Sequence, residues 1–173
     1  MSCMAKYSDC AEIIKGRLYV GSCPQLNEIK SLKRYGISAV LSLQSDADLE
    51  LYKINLADLE RAYRSAGIEF HRAPILDFDV EDLTSKIEEC VNRLSRLIEQ
   101  DHTVLLHCNV GISRGPTVAV GYLMSFGMAP HDAIKQVADK RPRSMPCLEA
   151  LLALRNALSM SPPPSTNNLP DAS

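Results

Sequence analysis

The sequence has no tryptophan and only three phenylalanines in 173 residues, and no charge of one sign dominates it. A formal net charge of -2 leaves no broad basic surface of the kind duplex nucleic acid selects, so nucleic acid is not an expected partner. An extended sugar-stacking platform, which depends on aromatic rings, is likewise not indicated. No apolar run approaches the roughly 20 residues that cross a bilayer. The opening MSCMAKYSDC has neither the apolar stretch of a signal peptide nor the arginine-rich look of a transit peptide. An intracellular, cytoplasmic protein with no membrane partner is expected. The six cysteines (Cys3, Cys10, Cys23, Cys90, Cys108 and Cys147) are scattered and contain no Cys-x-x-Cys pair. Free thiols are therefore expected, with no disulfide framework, no metal and no other cofactor.

What is present is enough for one domain: with 46% hydrophobic residues, the chain can bury a core without staples. Residues 1–16 show weak periodicity, and residues 1–15 read as an N-terminal extension. Arg17 to Gly21 reads as a strand that closes into a turn at Ser22, Cys23 and Pro24. Leu26, Ile29 and Leu32 follow at helical spacing as far as Gly36, and Ile37 to Leu43 reads as a buried strand. A polar stretch, QSDADLE, leads to a helix carrying Leu56, Leu59, Ala62 and Tyr63, which ends at Gly67 and feeds the strand Glu69 to Ile75. Leu83, Ile87, Val91, Leu94, Leu97 and Ile98 mark one face of a long helix. Thr103 to His107 is a short apolar strand suited to a sheet centre. A helix begins near Pro116, and two more, each led by a proline, fit PHDAIKQVADKR and PCLEALLALRNAL. Residues 161–173, rich in Pro, Ser and Asn, are expected to form a disordered tail. Strands alternating with helices predict an α/β fold with a central, mostly parallel sheet flanked by helices. A monomer is expected.

The chemistry concentrates in HCNVGISR, His107 to Arg114, between a buried strand and a helix amino terminus. Backbone N–H groups of Asn109, Val110, Gly111, Ile112 and Ser113 can converge there on one anion, and the helix dipole adds positive potential. Gly111 allows the tight curvature, His107 and Gly115 flank the loop, and Arg114 offers a planar fork for two phosphate oxygens. The same environment favours the thiolate of Cys108, which makes it the expected nucleophile. The leaving group then needs a proton from a carboxylic acid on a facing loop. The acidic loop 75–82 supplies Asp77, the first choice, with Asp79 and Asp82 as competitors.

HCNVGISR resembles the His-Cys-x5-Arg phosphate-binding loop of the protein tyrosine phosphatase superfamily. The early GRLYVGS and the late AIKQVADKRP resemble the compact dual-specificity phosphatases over residues 16–160, the expected catalytic domain. That likeness implies metal-free hydrolysis of phosphotyrosine, phosphoserine or phosphothreonine through a phosphocysteine intermediate. LQSDADLELYKI, HRAPILDFDVEDL and SRGP are further similar to glucan phosphatases of the starch-excess and laforin type. This narrower likeness makes Asp77, the first Asp of Asp-Phe-Asp, the general acid, and Phe78 and Tyr52 substrate contacts. The loop departs from the glucan pattern at Val110 and Ser113, and Leu51 and Met145 stand where the plant enzymes place aromatics. A phosphorylated protein is therefore the leading expected substrate, phosphoglucan the alternative, and a noncatalytic phosphate-binding module the third reading. Gly115 stands where many relatives carry a Ser or Thr whose hydroxyl helps the thiolate leave. Cys23 and Cys147 are candidate redox partners of Cys108, with a packing role the leading expectation for each.

Overall fold

A computed structural model describes residues 6–160, so the expected disordered tail lies outside the described residues. Five strands and six α-helices follow in the order β1 (Cys10–Ile14), β2 (Leu18–Gly21), a 3-10 helix (Ile29–Tyr35), β3 (Ala39–Gln44), α1 (Asp46–Leu51), α2 (Leu56–Ser65), β4 (Glu69–Ile75), α3 (Val80–Glu99), β5 (Val104–His107), α4 (Arg114–Ser125), α5 (Pro130–Lys140) and α6 (Leu148–Met160) among the described residues. The sheet order is β1-β2-β5-β3-β4. Strands β2, β5, β3 and β4 run parallel, and only β1 is antiparallel to its neighbour. The predicted α/β architecture is therefore present.

Every residue of β3 and β5 is buried, as central parallel strands covered on both faces must be. Alternation along β5 sends Val104 and Leu106 to one face, against α3, α4 and α6, and Leu105 to the other, against Tyr7, Ile29, Leu59 and Tyr63. Helix α3 buries Leu83, Ile87, Val91, Leu94 and Leu97 along one stripe, each stabilising the fold by about 1.5–3 kcal/mol relative to exposure. No described helix is long and apolar enough to cross a membrane.

Several local readings change. The sheet starts before Arg17: Cys10–Ile14 pairs along the outer edge of β2, although alternation there is weak because an edge strand buries little on one side. QSDADLE contains a helix rather than only a polar connection, because Ser45 and Asp48 close a reciprocal capping box at the start of α1. The segment Ile29–Tyr35 winds as a 3-10 helix, and Leu26 is exposed rather than part of its buried face. Helix α4 begins at Arg114, two residues before Pro116, while Pro146 precedes α6 instead of opening it. Central β5 ends at His107 between β2 and β3, so the following loop emerges at the carboxyl edge of the parallel strands, where such sheets bind ligands.

Candidate active site

The loop after β5 turns five successive carbonyls outward. Asn109 O accepts from the Cys23 amide at 3.0 Å, and Ile112 O from the Met145 amide at 2.7 Å. Val110 O accepts from Arg141 Nη2 at 3.1 Å and Arg143 Nη2 at 2.9 Å, and Gly111 O from Arg141 Nε at 2.7 Å. Ser113 O accepts from the Thr117 amide and hydroxyl at 2.9 and 2.8 Å. A trans peptide carries its C=O and N–H on opposite edges. The amides of Val110 to Arg114 therefore face the inside of the loop, where no protein acceptor takes them among the described residues. The loop meets the amino terminus of α4, whose Ser113 cap makes no side-chain bond, so the orphan N–H groups and positive dipole end of that helix add to the cradle. Gly111 has φ 65°, and a Cβ there would stand 2.5 Å from Gly21 O and 2.7 Å from Arg141 Nη2. Only glycine fits this turn.

Cys108 sits at the loop's start with 3% of its surface exposed. His107 is fully buried, with Nδ1 3.0 Å from Cys108 O. Burial pushes the imidazole down to about 4, with the Arg114 charge adding to that and the bond to Cys108 O opposing it. The ring is thus neutral, and because a carbonyl only accepts, Nδ1 carries the proton.

Arg114 is also buried. Its Nη1 donates to Asp48 Oδ2 and to Ile75 O, both at 2.7 Å. Nη2 lies 2.9 Å from Asp77 Oδ2, yet neither Nη2 nor Nε has a partner at hydrogen-bond geometry. One edge of the fork is thus anchored by hydrogen bonds, while the other meets only the Asp77 carboxylate, without hydrogen-bond geometry. Asp48 Oδ1 accepts from Asn109 Nδ2 at 2.7 Å, and that same nitrogen reaches Asp77 Oδ2 at 3.0 Å. Gln44 Nε2 donates to Asn109 Oδ1 at 2.8 Å. Burial raises the Asp48 pKa, but bonds from Arg114, Asn109 and Ser45 outweigh it and hold the carboxyl below its ordinary value.

The three acidic candidates separate by their partners. Asp79 caps α3 by accepting from the Asp82 amide at 2.8 Å. Asp82 accepts from the Leu76 amide and pairs with Lys86, both at 2.7 Å. Asp77 alone of the three touches Arg114 and Asn109. Phe78, beside it, has φ 59° and is 98% exposed. Tyr52 lines a cleft of ≈ 480 Å³ with Cys23, Leu26, Gln44, Asn109 and Val110, so it stands at the loop's flank. Beside Gly115, a Cβ would lie 3.9 Å from Cys108 Sγ. The described cysteines are all free; burial pushes the Cys23 thiol up to about 12, and Cys147 Sγ lies 3.5 Å from Glu149 Oε2.

Sequence reasoning missed Asp48, Gln44 and Arg141. A signal existed for Asp48, since Ser45-x-x-Asp48 is a capping-box pattern. No local signal announces Gln44 or Arg141, which reach the loop only through the fold. No three His, Cys, Asp or Glu side chains cluster as metal ligands among the described residues.

Residues 18–157 match the family described as dual specificity phosphatase, catalytic domain. The chain is 28% identical over 156 residues to the dual specificity protein phosphatase Mpk3 of Drosophila melanogaster, covering 87% of this chain and 35% of that protein. It is 31% identical over 119 residues to the chloroplastic phosphoglucan phosphatase LSF1 of Arabidopsis thaliana, covering 68% of this chain and 20% of that protein. The chain thus spans about a third or less of these relatives' length. Among solved structures, the active form of Tk-PTP superposes with a TM-score of 0.72 at 25% identity, covering 88% of this chain and 98% of that one. The matched segment contains the whole strand, loop and helix unit built around Cys108, and the chain belongs to the dual specificity phosphatase catalytic-domain family.

Proposed function

We propose that this domain is a dual-specificity protein phosphatase that hydrolyses phosphomonoesters through a phosphocysteine intermediate. The observation that carries the reading is the loop of outward carbonyls and inward amides that starts at Cys108 and ends at Arg114. In this reading the Cys108 thiolate attacks phosphorus, the bond to the ester oxygen breaks, and the loop amides with Arg114 Nε and Nη2 hold the three equatorial oxygens. Asp77 gives its proton to the leaving oxygen. Water, losing a proton to Asp77, then attacks the phosphocysteine, releasing phosphate and restoring the thiolate. Arriving phosphate would take the edge of the guanidinium that Asp77 occupies, moving the acid from the cation toward the leaving group.

Phosphoprotein is the leading substrate and phosphoglucan the second. The exposed rings of Phe78 and Tyr52 favour the latter, while the apolar, non-aromatic Leu51 and Met145, both 71% exposed, suit a protein surface better than a sugar face. Free thiols support an intracellular setting, and a monomer is the working form. The test compares release of phosphate from phosphotyrosine and phosphothreonine peptides, solubilised phosphorylated starch and an aryl phosphate, each with wild type and Cys108→Ser. Peptide and aryl turnover that vanishes in the variant is expected. Release from starch alone would overturn the protein-phosphatase reading, and unchanged turnover in Cys108→Ser would overturn the mechanism.

A further inference from the structure

We propose that Arg141, backed by Asp9, is a positioning residue for the phosphate loop, acting through two peptide units to aim and polarise the amides of Gly111 and Ile112. This inference rests on the phosphatase reading of the site. Arg141 follows α5 and is 5% exposed. Its backbone is pinned on both sides, the amide donating to Val137 O at 2.8 Å and the carbonyl accepting from the Ser144 amide at 2.9 Å. From that anchor one guanidinium reaches three acceptors. Nε donates to Gly111 O at 2.7 Å, and Nη2 lies 3.1 Å from both Val110 O and Asp9 Oδ1.

The two carbonyls belong to the peptide units that carry the N–H groups of Gly111 and Ile112. A cation on the carbonyl side of a peptide makes a charge-assisted bond, roughly twice as strong as a neutral one. It also draws electron density away from the opposite N–H, which becomes the better donor. Arg141 therefore stands behind the cradle while Arg114 stands at its rim. The planar fork matters, because a lysine is a single point charge that cannot span two carbonyls and a carboxylate at fixed angles. A side chain at position 111 would collide with Gly21 O and Arg141 Nη2, so the glycine is what lets the guanidinium come this close behind the loop.

Asp9 belongs to a stretch that precedes the matched residues 18–157. Its backbone is held in turn: Asp9 O accepts from the Ser22 amide at 3.1 Å. The buried Tyr7 hydroxyl lies 2.7 Å from Ser22 O and 3.0 Å from Asp9 O. Asp9 also approaches Arg143 at 3.7 Å, so both arginines that bond Val110 O share its carboxylate. Residues 7–9 thus complete the back of the catalytic loop.

The test uses the full chain with Arg141→Lys, Arg141→Met, Arg141→Ala and Asp9→Ala, reading kcat and KM on an aryl phosphate, inhibition by vanadate, and the thermal midpoint. Arg141→Lys and Arg141→Met are expected to lower kcat by about 10²-fold and to weaken vanadate inhibition in parallel, with KM changed far less. Free guanidinium added to Arg141→Ala is expected to restore part of kcat without moving the thermal midpoint. Asp9→Ala, which leaves the cation on the loop, is expected to lower kcat several-fold. Should the Arg141 variants not fold, Asp9→Ala decides, and wild-type kcat in it overturns the proposal. Wild-type kcat and vanadate inhibition in a folded Arg141→Lys would also overturn it. A wild-type protein that neither turns over the ester nor binds vanadate would instead remove the phosphatase reading itself.

Discussion

Replacing Asp48 by asparagine probes the centre of the site with almost no change of shape. Asp48 Oδ2 accepts from Arg114 Nη1 at 2.7 Å, the Ser45 amide at 2.8 Å and the Ser45 hydroxyl at 2.9 Å. Both Asp48 and Arg114 are nearly excluded from solvent. The amide would leave the guanidinium without its buried counter-ion and would turn a donor toward donors. Breaking such a pair costs about 3–5 kcal/mol, and the lower end applies here because Asp77 remains 2.9 Å from Nη2. With about 1–3 kcal/mol lost per molar urea, the midpoint should fall by roughly 1–3 M. Phosphate turnover should drop about 10²-fold as the fork loses its alignment. The pH dependence has a definite sign. The net depression of the Asp48 pKa means its contribution is full above the unfolded carboxylate value of about 3.9, and is lost as pH falls through the lower folded value. The asparagine variant should lose that acid-side slope. An unchanged urea midpoint at neutral pH would refute the claim that Asp48 holds Arg114. Pairing Asp48→Leu with Arg114→Met is expected to recover much of the stability but no turnover.

Three further outcomes follow from the same geometry. Asp77→Asn should slow hydrolysis of an alkyl phosphate by about 10²–10⁴-fold and hurt an aryl phosphate with a good leaving group much less; equal losses on both would remove Asp77 as the acid. At Gly115 a Cβ meets Val20 Cγ1 at 3.5 Å and Cys108 Sγ at 3.9 Å, ordinary contact distances that leave room for a side chain's first carbon. Gly115→Ser should hasten breakdown of the phosphocysteine, shrinking the pre-steady-state burst relative to the steady rate, and an unaltered burst would show that the glycine merely shapes the turn. His107, neutral in the fold and titrating at about 4, binds fewer protons than the unfolded chain between that value and about 6.5. Stability should therefore fall by up to about 3 kcal/mol as pH drops through this window and stay flat above it. Urea midpoints measured across the window should show that slope reduced in His107→Gln.

Much of the fold was legible because its signals are local. Buried parallel strands read as short apolar runs, as at Val104 to His107, and α3 shows an uninterrupted stripe from Leu83 to Ile98. The loop after β5 was legible too, since a cysteine, a glycine and an arginine at fixed separation need only one loop to meet. What escaped has non-local causes. Strand β1 has weak alternation because it is an edge, paired only with β2. Arg141 looks like any charge at a helix end until the fold carries it back to Gly111, 30 positions earlier. Asp48 reads as a solvated charge in a polar stretch until α1 sets it, buried, against Arg114.

Two carboxylates share one guanidinium, and they hold it unequally. Asp48 has a side chain only 5% exposed and accepts bonds from Arg114, Asn109 and both donors of Ser45. Taking it away strands a buried cation. Asp77 is 30% exposed, meets Nη2 without hydrogen-bond geometry, and otherwise accepts from Asn109 at 3.0 Å and the Phe78 amide at 3.2 Å. An anion competing for the open edge of Arg114 must displace the weaker occupant, which is Asp77. Asn109 links the two, since its Nδ2 contacts both carboxylates while Gln44 fixes its other end. The same asymmetry that anchors the fork on Asp48 therefore leaves Asp77 as the carboxylate that an anion arriving at Nη2 is expected to displace.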